Sequence, residues 1–340
     1  MTELRKDCFW QISCKDGQMY ARNAAGVCIP YENESLCHGD VVEFGENGKI
    51  RKLHDGKDSS ALIYLTNQCN SNCIMCPDSV KLRTMENTVT VDSVLEYISL
   101  LPTDLEHIDI TGGEPTLLKQ ALPDVIRRAG EQAEQAELLM LSNGRSFASQ
   151  KYAACFGEFA EKKLRIEIPI HSANPQKHDF IAGCTGSFAQ TKAGIHNLLA
   201  NKVEVGIRIV VSKLNYRELD AVIELVHTEF PQIRLVHIMG MEMLGNAWHN
   251  REKVWVEFDE AQPYLQRAVQ TCFACGIDPG LYNFPLCLFE SRYWYCYKNS
   301  ISGYKIRYQE ECKKCQEQGR CGGFFFSTIH QTTYKVRVQV

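Results

Sequence analysis

Three cysteines, Cys69, Cys73 and Cys76, stand in one short run, T-N-Q-C-N-S-N-C-I-M-C-P, straight after an apolar strand-like segment. The spacing C-x3-C-x2-C lets three thiolates of one loop hold three irons of a [4Fe–4S] cube and leave the fourth iron without a protein ligand. An iron left open in this way can bind and reduce a small molecule, so the run points to a reaction as well as to a structural tie. Zinc fits less well, because structural zinc takes four ligands, usually in two spaced pairs. Disulfides fit worse, since three neighbouring cysteines cannot all pair.

One strand–helix unit later comes E-H-I-D-I-T-G-G-E-P-T-L, where Ile108 and Ile110 alternate into Gly112, Gly113, Glu114 and Pro115. Glycines at a strand's C-terminal end let the backbone approach a ligand closely, and Glu114 offers a carboxylate to a ligand ammonium. Near the end of the chain, Cys312, Cys315 and Cys321 form C-x2-C-x5-C, with Cys287 (Y-N-F-P-L-C) and Cys296 upstream. Four thiolates close a second iron–sulfur cluster, and Cys287 is the expected fourth ligand. A structural zinc is the alternative for the same four thiolates. Cys272 and Cys275 form a further C-x2-C, read as packing residues that could supply a ligand in place of Cys287.

These residues need elements to position them. From 61 to about 250, strand-like runs at 62–66, 106–110, 137–142, 164–170, 203–211 and 233–238 alternate with helical patterns at 91–101, 118–133, 149–161, 187–200 and 215–229. Such alternation predicts an α/β fold of parallel strands joined by crossover helices. Within V-E-V-G-I-R-I-V-V-S, Val203, Val205, Ile207, Ile209 and Val211 share one face, opposite Glu204, Gly206, Arg208, Val210 and Ser212. Likewise Leu164, Ile166, Ile168 and Ile170 lie opposite Arg165, Glu167, Pro169 and His171. A filled barrel would be apolar on both faces; a polar inner face predicts an open, incomplete barrel with ligand inside. Ligands of such sheets lie at the C-terminal strand ends. That places Ser142 and Asn143, His171 and Ser172, Arg208 and Ser212, and Met239 to Glu242 at the site. Arg208 can pair with a ligand carboxylate.

The two motifs together resemble the radical SAM superfamily. The resemblance implies a partial (β/α)6 barrel in which Cys69, Cys73 and Cys76 hold the cluster and Gly112, Gly113 and Glu114 meet the methionyl amine of S-adenosylmethionine. It implies reductive cleavage of that cofactor to methionine and a 5′-deoxyadenosyl radical. Met75 stands where an aromatic residue often lies near the adenine, and Ser142, Asn143, Ser172, Arg208, Ser212 and Met239 stand at cofactor-contacting positions. The C-terminal cysteines resemble the auxiliary-cluster domains called SPASM or twitch. No cysteine follows Cys321, so one auxiliary cluster is expected rather than two.

Segments over roughly 38–326, among them H-D-F-I-A-G-C-T-G-S-F, I-M-G-M-E, Y-N-F-P-L-C and S-I-S-G-Y-K, are similar to the maturases encoded with His-Xaa-Ser repeat peptides (HxsC-like). That likeness implies a ribosomally made precursor peptide as substrate, with hydrogen abstraction from one residue, and an external electron donor of flavodoxin or ferredoxin type. Glu242, Glu167 and His171 are candidate acid–base groups by lumen position. Cys184, or alternatively Cys296, is a candidate hydrogen-atom donor. A small-molecule substrate is the alternative within the same chemistry, and a metal-bound scaffold or redox sensor the alternative outside it. The closing T-T-Y-K-V-R-V-Q-V alternates like a terminal edge strand, which could also pair with an extended leader peptide.

Composition sets the frame. With 340 residues, 44% hydrophobic and 23% charged, the chain reads as one large soluble domain with small appendages. The expected division is a β-rich N-terminal module at 1–58, the barrel at 59–250 and an auxiliary-cluster domain at 251–340. A net charge of −4 gives no electrostatic case for nucleic acid or an anionic membrane. Tyr293, Trp294, Tyr295 and Tyr297 lack the basic stripe that base stacking would need. No signal peptide or membrane span is legible, and sixteen cysteines in a reducing cytoplasm are metal ligands or catalysts more often than disulfides. Cys8, Cys14, Cys28 and Cys37 are expected to be buried as small apolar side chains.

Overall fold

The structure, a computed structural model, describes residues 9–15, 18–31, 35–45, 49–87, 89–298 and 303–339. Cys8, the turn at 16–17, residues 46–48 of G-E-N-G, and 300–302 of S-I-S-G-Y-K lie outside them. Two compact units divide the chain. The first comprises Met1–Gln68, Glu86–Leu141 and Glu161–Arg165; the second comprises Cys69–Met85, Ser142–Ala160 and Ile166–Val340.

The first unit opens with five short antiparallel strands: β1 (Phe9–Lys15), β2 (Gln18–Arg22), β3 (Cys28–Pro30), β4 (Val41–Phe44) and β5 (Ile50–His54), in the order β3-β2-β1-β4-β5. Alternation on β1 sends Trp10 and Ile12 inward to meet Ala21, Leu36 and Val42, the period of two that strands impose. The three described cysteines of this module, Cys14, Cys28 and Cys37, do not join that core. Cys14 and Cys28 are exposed and Cys37 is half-buried, because Cys14 lies beyond the packed stretch of β1 and Cys28 lies on the edge strand β3. The expectation of buried thiols is corrected for these three.

Next come β6 (Ser60–Tyr64), β7 (His107–Thr111) and β8 (Glu137–Leu141), paired in parallel. Helix α1 (Val80–Thr84) belongs to the second unit, and α2 (Val91–Leu100) and α3 (Ala121–Gln132) to the first. A reciprocal Thr90–Ser93 cap starts α2, which is the local signal that fixes a helix N-terminus.

The second unit carries α4 (Gln150–Ala154), most of β9 (Leu164–Pro169), α5 (Pro175–Ala182), α6 (Ser187–Ala200), β10 (Glu204–Val210), α7 (Leu219–Glu229) and β11 (Leu235–Met239). It continues through α8 (Gly245–His249), α9 (Arg251–Val254), α10 (Phe258–Ala274), β12 (Asp278–Tyr282) and β13 (Tyr297–Lys298). The strands form one eight-stranded sheet in the order β13-β12-β11-β10-β9-β8-β7-β6.

All six expected barrel strands are present within a residue or two. β12 and β13 extend the sheet beyond residue 250, and α10 with β12 forms one more helix–strand unit. That strand reads D-P-G-L-Y, and Pro279 and Gly280 are poor strand formers, which hid it. Gly280 has a packing reason: a Cβ there would come within 2.6 Å of His237 Cδ2. The helix expected at 149–161 is shorter, because α4 stops at Ala154 and a 3-10 turn follows at Gly157–Phe159.

A two-stranded ribbon, β14 (Ile306–Arg307) with β15 (Phe324–Phe325), lies among short 3-10 turns in the cysteine-rich region. The closing segment 331–339 forms no strand, which corrects the edge-strand expectation. Its backbone is held by side chains instead: Gln309 donates from Nε2 to the Tyr334 carbonyl at 2.8 Å and accepts from the Val336 amide at 3.3 Å. Among the described residues no helix is long and apolar enough to cross a membrane.

Candidate active site

The C-x3-C-x2-C run is a loop with almost no regular structure of its own, so its shape is imposed by neighbours in the second unit. The amides of Asn72 and Ile74 donate to the carbonyls of Ala182 and Ile181, at 3.0 and 2.9 Å, at the end of α5. From α8, Asn246 donates to the Cys73 carbonyl at 3.0 Å and the Ala247 amide to the Cys76 carbonyl at 3.2 Å. Asn250 reaches the Ile74 carbonyl at 3.2 Å. Arg83 spans the other side, donating to the Ser71 carbonyl at 2.8 Å and to Asn72 Oδ1 at 2.6 Å. Gly183 ends α5 at φ +62°, and a Cβ there would sit 2.1 Å from the Asn72 carbonyl oxygen.

Thiol electrostatics fit a metal cluster. Burial, then the neighbouring Cys76 and Cys69, push the Cys73 thiol up to about 12. Burial also pushes Cys76 up to about 11. Three crowded thiols resist ionising together until a cation shares their charge, and Arg83 supplies part of that charge in advance. The Ser71 amide donates to Cys69 Sγ at 3.4 Å. Met75 is 6% exposed and packs with Ile181, Met241 and Met243, joining the cluster loop to the I-M-G-M-E segment.

In the first unit the G-G-E-P turn lies against the end of the β6 loop. The Gly113 amide donates to the Thr66 carbonyl at 2.6 Å, and the Glu114 amide to that of Gln68 at 2.8 Å. A Cβ on Gly113 would come 2.2 Å from the Gln68 oxygen, so this glycine is required by chain packing whatever binds beside it. Glu114 is fully buried, and its Oε1 accepts from the Thr116 amide at 3.1 Å and hydroxyl at 2.6 Å.

The strand-end residues of the second unit divide by what they touch. Asn143 donates to Asn70 Oδ1 at 2.6 Å, and Arg145 donates to the Asn70 carbonyl and to Ser71 Oγ at 2.5 and 3.0 Å. These contacts bring the L-S-N-G turn onto the cluster loop. Ser142 Oγ accepts from the Gly144 amide at 3.1 Å. Ser172 donates to Glu218 at 2.7 Å, and Ser212 to Asn215 at 3.0 Å, so both serines lock their own loops. His171 is buried against His178 with ring centroids 5.0 Å apart, and burial, then His178, lowers it to about 3. The imidazole is therefore neutral at ordinary pH. Cys184 is half-buried beside Gly183. Glu242 pairs with Lys305 at 3.1 Å.

The polar face of β9 to β11 converges on Glu167. His237 Nδ1 lies 2.8 Å from Glu167 Oε1, and Arg208 Nε 3.6 Å from Glu167 Oε2. Arg208 also contacts Met239 Sδ at 3.0 and 2.5 Å. His237 was not among the sequence-derived candidates. It sits in register with Arg208 on the neighbouring strand, a signal that was available once strand phase was assigned.

Four cysteines come together at the C-terminal region. Cys287, Cys312, Cys315 and Cys321 line one pocket with Leu286 and Phe324, while Cys272 and Cys296 are buried elsewhere. Cys321 Sγ accepts from the amides of Leu286 at 3.3 Å and Gly323 at 3.4 Å, the N–H···S pattern that suits a cluster thiolate. Among the described residues no group of three His, Cys, Asp or Glu side chains is arranged as the ligands of a single metal ion would be.

Residues 63–226 match the family model described as the Radical SAM superfamily. That match covers just under half of the chain, and over this span the chain, with its three-cysteine loop, is similar to the radical SAM superfamily. Among curated proteins it is similar to the Fe-coproporphyrin III synthase of Methanosarcina barkeri, 24% identical over 59% of this chain and 50% of that protein. It is also similar to the AdoMet-dependent heme synthase of the same organism, 30% identical over 47% of this chain and 45% of the relative. The chain spans about half the length of these curated relatives. A solved structure of native anSMEcpe with bound AdoMet and the Kp18Cys peptide shares the fold. Its TM-score is 0.50 at 16% identity, covering 62% of this chain and 59% of that one.

Proposed function

We propose that this protein is a peptide maturase that uses a three-cysteine [4Fe–4S] cluster, S-adenosylmethionine and one auxiliary cluster to abstract hydrogen from a ribosomally made precursor peptide. When bound, the open-site cluster supplies one electron that cleaves S-adenosylmethionine to methionine and a 5′-deoxyadenosyl radical. Cys69, Cys73 and Cys76 hold that cluster, and α5, α8 and Arg83 hold the loop. Arg208, kept in place by Glu167 and Met239, presents a guanidinium to the cofactor carboxylate. Glu114 and the backbone of Gly112 and Gly113 receive the cofactor amine. Cys287, Cys312, Cys315 and Cys321 hold the auxiliary cluster, and an external flavodoxin- or ferredoxin-type carrier supplies electrons.

The observation that supports the reading is that Cys287 and the C-x2-C-x5-C run line one pocket, in a chain whose fold is like that of a solved structure with a bound peptide. The curated relatives, named for heme and coproporphyrin chemistry, favour a small-molecule substrate as the second reading. Anaerobic incubation with reductant and S-adenosylmethionine is expected to release 5′-deoxyadenosine. Co-expression with a neighbouring small peptide is expected to change that peptide's mass. Release of 5′-deoxyadenosine with every candidate peptide unchanged would move the assignment to the small-molecule reading.

A further inference from the structure

The closing segment of the chain forms a wall of the four-cysteine pocket, contributing Val336, Val338 and Gln339. Gln309 clamps it at the Tyr334 carbonyl and the Val336 amide, and the Gln316 amide donates to the Gln339 carbonyl at 3.0 Å. Tyr334 is only 2% exposed. Its ring lies against Phe258 and Phe324 with centroids 6.0 and 6.5 Å away. From that wedge its hydroxyl donates to Cys287 Sγ at 3.5 Å. Cys287 thus takes a hydrogen bond from a side chain 47 residues away in sequence, whereas Cys321 takes two from backbone amides, those of Leu286 and Gly323.

We propose that Tyr334 is a positioning residue that tunes the auxiliary cluster through Cys287, and that the tail around it keeps water from that cluster. The proposal rests on the reading that these four cysteines hold an iron–sulfur cluster. A hydrogen bond to a ligand sulfur withdraws negative charge and favours the reduced, more negative cluster; the apolar shell sets how much water competes. Phenylalanine in the same wedge keeps the shell dry and removes only the donor. Tyr334→Phe therefore shifts the midpoint of the cluster couple to more negative potential.

The experiment uses the full chain with Cys69, Cys73 and Cys76 each replaced by alanine, so that only the auxiliary cluster is read. Iron content is measured first, then the midpoint potential by spectroelectrochemical titration with and without Tyr334→Phe. The expected result is equal iron and a negative shift. In the same background Gln309→Ala, which frees the tail, is expected to speed cluster bleaching in air several-fold. An unchanged or more positive midpoint in Tyr334→Phe, or lost iron there, overturns the tuning role. Unchanged bleaching in Gln309→Ala overturns the covering role. An iron-free background protein would overturn the cluster assignment itself, an outcome distinct from either.

Discussion

Glu167 is 1% exposed yet carries a carboxylate, and its partners explain how it persists. A buried charge is tolerated only when paired, and here His237 and Arg208 share it from two neighbouring strands. Removing the charge while keeping the shape isolates that role. Glu167→Gln is expected to weaken S-adenosylmethionine binding about tenfold, the cost of one charge-assisted contact, with iron content unchanged; equilibrium dialysis measures it. The histidine pair offers a second residue-level test. Burial lowers His171 to about 3 and His178 to about 4, whereas an unfolded imidazole takes its proton near 6.5. The unfolded chain therefore binds more protons between those values, and stability present above about pH 6.5 is lost as pH falls toward 4. Each group contributes a slope of up to about 1.4 kcal/mol per pH unit. Urea midpoints measured from pH 7 to 5 are expected to fall, with a smaller fall in His178→Gln. A flat profile in the parent protein would remove the assignment.

At the scale of elements, the cluster loop depends on helices that contribute no cysteine to it. The clasp made by Asn246 and Ala247 of α8 and by Asn250 just after it satisfies three carbonyls that a bare loop would leave to water, and the end of α5 supplies the opposite edge. Gly183 shows how little room this leaves, with a left-handed φ and a would-be Cβ 2.1 Å from a carbonyl oxygen. Gly183→Ala is expected to cost on the order of 2 kcal/mol in unfolding free energy. It is also expected to lower the iron retained after reconstitution, read by denaturant titration and metal analysis. Asn246→Ala removes one hydrogen bond and is expected to cost about 1 kcal/mol with a smaller loss of iron.

Considered as a whole molecule, the protein has two groups of thiols, and in each of them burial raises two thiols toward the protonated form. Cys73 and Cys76 lie well above the usual thiol range, and burial raises Cys312 and Cys321 as well. Metal that binds only the native arrangement adds its binding energy to folding. Stripping iron with a chelator under anaerobic conditions is therefore expected to lower the melting temperature by several degrees. Alanine at Cys287 is expected to abolish the auxiliary part of that gain and leave the remainder. Equal melting temperatures before and after stripping would show that neither thiol group is coupled to folding.

Spacing along the chain pointed to the three-cysteine loop, the G-G-E-P turn, the C-x2-C-x5-C run and six of the eight strands of the parallel sheet. Each of those signals is local: ligand reach within a loop, or a period of two set against a period near 3.6. What the chain could not announce was decided by residues far apart in sequence. His237 joins Glu167 only through strand register, and Tyr334 reaches Cys287 only because aromatic rings from α10 and β15 seat it. The strand D-P-G-L-Y forms against its own propensities, because parallel pairing and the space Gly280 leaves for His237 outweigh them. Cys14 and Cys28 are exposed for a related reason: burial is a property of the sheet and its edges, and residue type alone does not carry it.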